Sequence, residues 1–348
     1  MDLRPEPRRE ATGLPFDDIR ALLARLPRPD SEAAARARSR EAELVKPAGA
    51  LGRLEEIAEW LVAWQGKTPP TVARPLVAIF AGAHGVAERG VSAYPSSVTR
   101  QMLDAFAGGG AAINQICKTF DIGLKVFDLA TERPTPDICE DAAMSEAECA
   151  GTMAYGFEAI HGGIDLLVVG EMGIGNTTVA ATLAHALFGG RPEDWVGRGT
   201  GADDDTLKRK IETVAGAVRF HGAHLGDPLE ALRRVGGREF AAIAGAILAA
   251  RMERVPVVID GFVATAAAAV LHALDASALE HCVAGHRSAE AAHGRLLERL
   301  ELPPILDLGM RLGEGSGGAL AVAVVKAACA CHTGMATFSE AAVSNRET

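Results

Sequence analysis

From about residue 75 onward, short apolar runs ending in glycine or aspartate alternate with longer segments of helical character, and this alternation restricts the chain to layered α/β architecture. The runs occupy residues 76–81, 124–128, 166–170, 257–260 and 305–308. They are too short and too uniformly apolar for surface strands, so they read as parallel strands buried on both faces. The segments between them, 98–116, 177–187, 207–220, 241–252 and 317–331, supply the covering helices. A doubly wound, mostly parallel sheet follows, and in such a sheet ligands sit at the carboxyl ends of the strands.

The chain ends read differently. Residues 1–27 are expected to form a flexible leader, with 28–70 and 318–348 making a small helical subdomain and 71–317 the large α/β domain. Residues 27–43 are polar and Ala/Arg-rich, a helix expected to add little to the core. Leu51, Leu54, Ile57, Ala58 and Leu61 then fall at helical spacing after the Lys46-Pro47-Ala48-Gly49 turn.

Charge narrows the range of partners. A net charge of -10 argues against a nucleic-acid partner held by phosphate neutralisation and favours a small molecule. A phosphorylated ligand stays compatible with that charge, because backbone amides and one or two cations suffice to hold it. The six cysteines follow no framework and read as reduced thiols, no secretory signal opens the chain, and runs such as 241–250 are too short for a bilayer span, so a cytoplasmic setting is expected.

Three glycine-rich turns carry the chemistry. In Gly170-Glu171-Met172-Gly173-Ile174-Gly175-Asn176-Thr177-Thr178, a strand gives way to a helix whose free amides attract anions, while the glycines let backbone approach a phosphate. A turn serving only tight strand-to-helix packing has the same pattern. There is no lysine after the last glycine, so this is not a P-loop, and its spacing is not G-x-G-x-x-G. The second turn, 197–205, leads into a helix with Asp203, Asp204 and Asp205 at its start, which cap it or meet a ligand, and with Lys210 on a charged face, solvated unless aimed at a phosphate.

The third turn, 307–318, places Glu314 between glycines after a strand, where a carboxylate has no packing value and can act as a general base when partly buried. A solvated loop glutamate is the plain alternative. Asp260 and Glu171, both at strand ends, are either backbone partners or ligand contacts. The loop after the first strand brings His84, Ser92 and Tyr94, with Gln101 following, as candidates to orient a flat heteroaromatic ring. Cys329-Ala330-Cys331-His332 has poor spacing for structural zinc and reads as helix packing, so no metal site is assigned.

Taken in order along the chain, these motifs resemble the nicotinate-nucleotide:dimethylbenzimidazole phosphoribosyltransferases of cobalamin biosynthesis. The resemblance runs from about Lys46 to Ala342 and is carried by 46–52, 82–86 with 90–95, 170–178, 197–204, Asp260-Gly261-Phe262, Gly285-His286-Arg287-Ser288 and 312–318. It departs from the family pattern at Ala50 and Ser316, where serine and threonine are expected. The resemblance implies a Rossmann-like large domain, a small helical domain from both chain ends, a homodimer, and no metal or redox cofactor. It implies transfer of phosphoribose from nicotinate mononucleotide to 5,6-dimethylbenzimidazole, giving α-ribazole 5′-phosphate and nicotinate. Glu314 matches the general base of that family. Gly173, Gly175, Asn176, Thr177 and Thr178 would hold the phosphate with help from Lys210 and Ser288. Glu171, Met172, Leu312, Ser92, Tyr94 and Gln101 would wall the base, and Asp260 would lie near the ribose. A dinucleotide-dependent oxidoreductase and a non-catalytic nucleotide- or azole-binding protein are the rival readings.

Overall fold

Six strands, β1 (Pro75–Ala81), β2 (Gly123–Asp128), β3 (Leu166–Met172), β4 (Val257–Ile259), β5 (Cys282–His286) and β6 (Pro304–Leu306), form one sheet in the order β2-β1-β3-β4-β5-β6. Every neighbouring pair is parallel. They are seen in a computed structural model, which describes residues 12–199 and 201–344. Thirteen α-helices are found among the described residues. In chain order they are α1 (Phe16–Leu23), α2 (Ser31–Glu43), α3 (Arg53–Gln65), α4 (Val98–Ala107), α5 (Ala112–Phe120), α6 (Glu146–Gly156), α7 (Asn176–Phe188), α8 (Asp204–His221), α9 (Pro228–Val235), α10 (Arg238–Met252), α11 (Phe262–Leu274), α12 (Ala291–Arg299) and α13 (Ser316–Gly334).

Period-two alternation along the strands decides which face each side chain serves. Ala78, Phe80, Leu167, Val169, Val257 and Ile259 point into one core with α6, α7, α9, α10 and α11. Val77, Ile79, Leu166, Val168 and Val258 point into the other with α3, α5 and α13. Both faces are therefore covered over β1, β3, β4 and β5. The expectation of burial fails at the sheet edges, where β2, with Lys125 in its run, and β6 have no buried residue, because an edge strand lacks a neighbour on one side. The order reverses between β1 and β3, since β2 lies on one side of β1 and β3 on the other, and such a switch point opens a crevice at the carboxyl ends.

Several expectations need correction. The segment expected as a flexible leader contains α1, whose Phe16, Ile19 and Leu23 are buried in the first core and whose Arg20 pairs with Asp227 at 2.5 Å. Residues 1–11 lie outside the described part. The helix expected over 98–116 is two helices, because Gly108, Gly109 and Gly110 interrupt it and Gly109 takes a left-handed φ of 75°. The helix α2 does contribute to packing, burying Ala33 and Ala37 against Val62. Strand β5 and helices α6, α9, α11 and α12 escaped the sequence reading.

Helix α13 was assigned to the small subdomain, yet it lies on the sheet with Ala319, Val322 and Val325 in the second core. By length and composition alone this 19-residue helix could cross a membrane. It is instead a packed layer of the fold. At its C-terminal end, residues 40–43 meet residues 332–338. The Phe338 amide donates to the Glu43 carbonyl at 2.9 Å, Arg40 Nε donates to the His332 carbonyl at 2.7 Å, and His332 Nδ1 faces Glu41 Oε1 at 2.6 Å.

Candidate active site

The turn between β6 and α13 crosses the end of β3. A side chain at Gly170 would have its Cβ 2.5 Å from the Gly315 amide nitrogen, so only glycine lets the two backbones approach this closely. Gly313, Glu314 and Gly315 all take positive φ, at 85°, 63° and 76°. For a glutamate that conformation is strained, and such strain persists only where the surroundings over-determine it. Asp260, following β4, is the main restraint. Its carboxylate accepts from the Gly315 amide at 3.1 Å and the Gly318 amide at 2.8 Å, fixing the turn and the first turn of α13. His286 Nε2 stands 3.6 Å from the same carboxylate.

Glu314 is thereby turned inward, 6% exposed, with Oε2 buried and without a protein partner among the described residues. Burial, and then the nearby Asp260 charge, push its carboxyl up to about 7. Burial also raises Asp260, against the opposing effects of His286 and the turn amides. Glu171 at the end of β3 is close by, its Oε1 2.5 Å from where a Cβ on Gly313 would stand. Asn176 Nδ2 donates to Glu171 Oε2. Burial first, then Asp260, push Glu171 up to about 8.

This crowding has a consequence for stability. Between pH 4.5 and about 8 the native state keeps a proton on Glu171 that the unfolded chain has released, so stability falls as pH rises through that window. At about 1.4 kcal/mol per unit the penalty reaches several kcal/mol above pH 8. Glu171→Gln should therefore melt higher than the parent at pH 8.5, with the gap closing toward pH 5. Equal melting points at pH 8.5 would refute this.

The cleft above these carboxylates encloses about 110 Å³ and is lined by Ser92, Glu171, Met172, the 173–177 loop, Gly199, Gly261, Phe262, Val263, His286, Ser288, Glu290, Arg311, Leu312 and Gly313. A larger groove of about 650 Å³ opens between Arg89, Arg209 and Phe220. None of the residues lining that groove belongs to a strand or a strand-end glycine turn, and its one carboxylate, Glu212, is exposed, so the smaller cleft is the candidate. Lys210 is aimed inward, contrary to its charged surroundings in sequence. It is 1% exposed, and its Nζ donates to Thr177 Oγ1 at 3.0 Å and to the Gly197 carbonyl at 2.9 Å. Burial lowers it to about 8, with Glu290 opposing. Asp203 is accounted for structurally, accepting from the Thr206 amide at 2.8 Å as the cap of α8. Thr178 is buried beneath the loop, while Tyr94 is 50% exposed and Gln101 is exposed on α4, neither of them lining the cleft.

Residues 26–343 match a family model described as phosphoribosyltransferase. A protein of Rhizobium leguminosarum bv. trifolii named nicotinate-nucleotide--dimethylbenzimidazole phosphoribosyltransferase is 63% identical, over 97% of this chain and 99% of its own length. The chain belongs to the nicotinate-nucleotide:dimethylbenzimidazole phosphoribosyltransferase family. A Sinorhizobium fredii protein of the same name is 64% identical over 97% of this chain. The crystal structure of the phosphoribosyltransferase of that name from Thermus thermophilus superposes with a TM-score of 0.84 at 41% identity, covering 91% of this chain and all of the other. The expected α/β fold is thus found both in the sheet and in the relatives.

Within this phosphoribosyltransferase framework, the sequence reading missed Thr99, His286 and Arg311 at the site. The Thr99 hydroxyl accepts from the Ile174 amide at 3.1 Å, and Arg311 Nη1 donates to the Gly199 carbonyl at 3.0 Å. Only His286 had a usable signal, its place at a strand end beside Ser288. His286 entered the sequence analysis only within the Gly285-His286-Arg287-Ser288 stretch, with no role given to it, because β5 was not foreseen.

Proposed function

We propose that this chain transfers the 5-phosphoribosyl group of nicotinate mononucleotide to 5,6-dimethylbenzimidazole, releasing nicotinate and forming α-ribazole 5′-phosphate. The name shared by relatives matching almost the whole chain supports the reaction. Within the site, one observation carries the reading. Glu314 follows Gly313, which lines the strand-end cleft, and its buried carboxyl, with Oε2 unpaired among the described residues, is raised to about 7, which suits a base working near neutral pH.

Glu314 takes the N–H proton of the azole while the opposite ring nitrogen donates its lone pair to C1′ of the ribose. The bond from C1′ to the nicotinate nitrogen breaks, and its electrons neutralise the pyridinium, so the leaving group needs no acid. Attack from the face opposite nicotinate inverts β to α. Holding the partners in line is most of the remaining catalysis. In this reading the amides of Gly173 and Gly175, with Asn176, Thr177, Lys210 and Ser288, take the phosphate at the start of α7, where the helix dipole favours it, and Thr178, buried, supports the loop from below. Glu171, Met172 and Leu312 wall the azole, with Ser92 and, in the assembled enzyme, Tyr94 and Gln101. Asp260 acts near the ribose through the turn that it holds.

The reading extends to a homodimer in the cytoplasm, with α2 and the segment beyond α13 as a small subdomain, joined to the large domain through α3, which packs with α13 in the second core. Sedimentation should then show a species of twice the 36.2 kDa chain mass. Neither the oxidoreductase nor the non-catalytic alternative is favoured by the relatives. Incubation with both substrates, following nicotinate and the new nucleotide by chromatography, tests the reaction, and a folded protein giving neither product would sink it. Lys210→Met is expected to raise the KM for nicotinate mononucleotide by roughly tenfold or more, through loss of a charge-assisted contact, while the azole KM stays within twofold. Steady-state kinetics with each substrate varied would show it.

A further inference from the structure

We propose that His84 and Glu239, a pair that the reaction chemistry leaves unused, form a buried positioning device that fixes the nucleotide loop at Gly173 from beneath. The proposal rests on the transferase reading above. His84 follows β1 and Glu239 stands in the first turn of α10. His84 Nε2 meets Glu239 Oε1 at 2.5 Å, with side chains 1% and 0% exposed. His84 Nδ1 and Glu239 Oε2 are buried without a further protein partner among the described residues.

Packing alone does not call for such a pair. Burying an imidazole and a carboxyl costs more desolvation than an apolar pair of equal volume would, so their net contribution to stability is small or negative. An acid in the first turn of a helix normally faces water. Glu239 instead turns into the core, on a helix whose buried residues are otherwise nearly all apolar or small.

What the carboxyl touches gives it a purpose. A Cβ on Gly82 would stand 2.0 Å from Glu239 Oε2, and one on Gly173 would stand 3.1 Å from Oε1, so the carboxyl fills the space between the ends of β1 and β3. That same position on Gly173 lies 3.4 Å from Asn176 Nδ2, the amide that donates to Glu171. The Gly82 amide donates to the Met172 carbonyl at 2.9 Å, closing the seam. Glu239, Gly173, Asn176 and Glu171 thus form one contiguous series. Neither His84 nor Glu239 lines the cleft, so they act through the loop and not on the reacting atoms.

Two polar replacements of His84 separate this from a general structural role. In His84→Gln the amide nitrogen reaches about where Nε2 stood and keeps the contact with Glu239, whereas the side chain of His84→Asn stops short at the Nδ1 position. With nicotinate mononucleotide and dimethylbenzimidazole varied in turn, His84→Asn is expected to raise the nucleotide KM by about tenfold or more with the azole KM within about twofold, as a displaced anchor should. His84→Gln should return it to within about threefold of the parent. A parental nucleotide KM in His84→Asn overturns the proposal, as does a lower kcat with both KM values unchanged, which marks only a smaller folded fraction. If His84→Asn does not fold, Glu239→Asp, which withdraws the carboxyl from Gly173, carries the same expectation and the same refutation. Should the parent show no turnover, the transferase reading fails on its own, and calorimetric binding of nicotinate mononucleotide to parent and variants still decides the role of the pair.

Discussion

Glu314→Gln is expected to lower kcat by about 10²–10⁴-fold, the usual contribution of a positioned general base, with both substrate KM values within a few-fold of the parent. Gln keeps the size of the side chain and the strained turn, so only the proton acceptor is lost. In the parent, kcat/KM should rise with pH through about 7, because Glu314 must lose its proton to act and its carboxyl is held up by burial and by Asp260, and fall again above about 8 as Lys210 loses the charge that meets the phosphate. The rising limb should vanish from the residual rate of the variant. A variant with parental kcat would move the proton acceptor elsewhere, first to Glu171, whose carboxyl lies against the same turn.

The second large effect is expected at Asp260. Asp260→Asn exchanges one accepting oxygen for an NH₂ group, leaving an amide of Gly315 or Gly318 facing another donor in a buried site. A buried group without its partner costs about 1–3 kcal/mol, so the melting temperature should drop. Slackening of the turn should lower kcat by roughly a hundredfold, since Glu314 holds its φ of 63° only while that turn is pinned. The substitution also removes the charge that raises Glu314, so the acid limb of kcat/KM should move below 7. Thermal melts and a pH–rate series read these effects separately. An unchanged melting point together with an unmoved acid limb would show that Asp260 neither pins the turn nor acts on Glu314.

Both predictions draw on features that differ in how far the sequence announced them. Glu314 was legible because it stands among glycines at a strand end, where no neighbour could give it a packing role. The loop at 173–178 was legible for a related reason, since its glycines and capping side chains mark a strand-to-helix turn with free amides. Asp260 was visible as a strand-end acid, but not as the clamp on a turn more than fifty residues further along the chain. Lys210 looked solvated until α8 was seen to lay it against Thr177 and Gly197. Glu239 gave no sign at all, standing beside Arg238 as an ordinary acid at a helix start. Tyr94 and Gln101 show the reverse, loop and helix residues suited to a ring in sequence that stand outside the cleft of the single chain.

Local backbone preference and side-chain periodicity are properties of neighbouring residues, so the sequence by itself determined the alternating α/β layers, the strand-end turns and the one carboxylate left without a packing purpose. Strand order, the reversal between β1 and β3, and the meeting of Asp260 with Gly315 or of Glu239 with Gly173 depend on which distant segments pack side by side. Only the tertiary structure decided those, because burial and like charge act through space, and residues far apart in the chain share one low-dielectric site only after the sheet has closed.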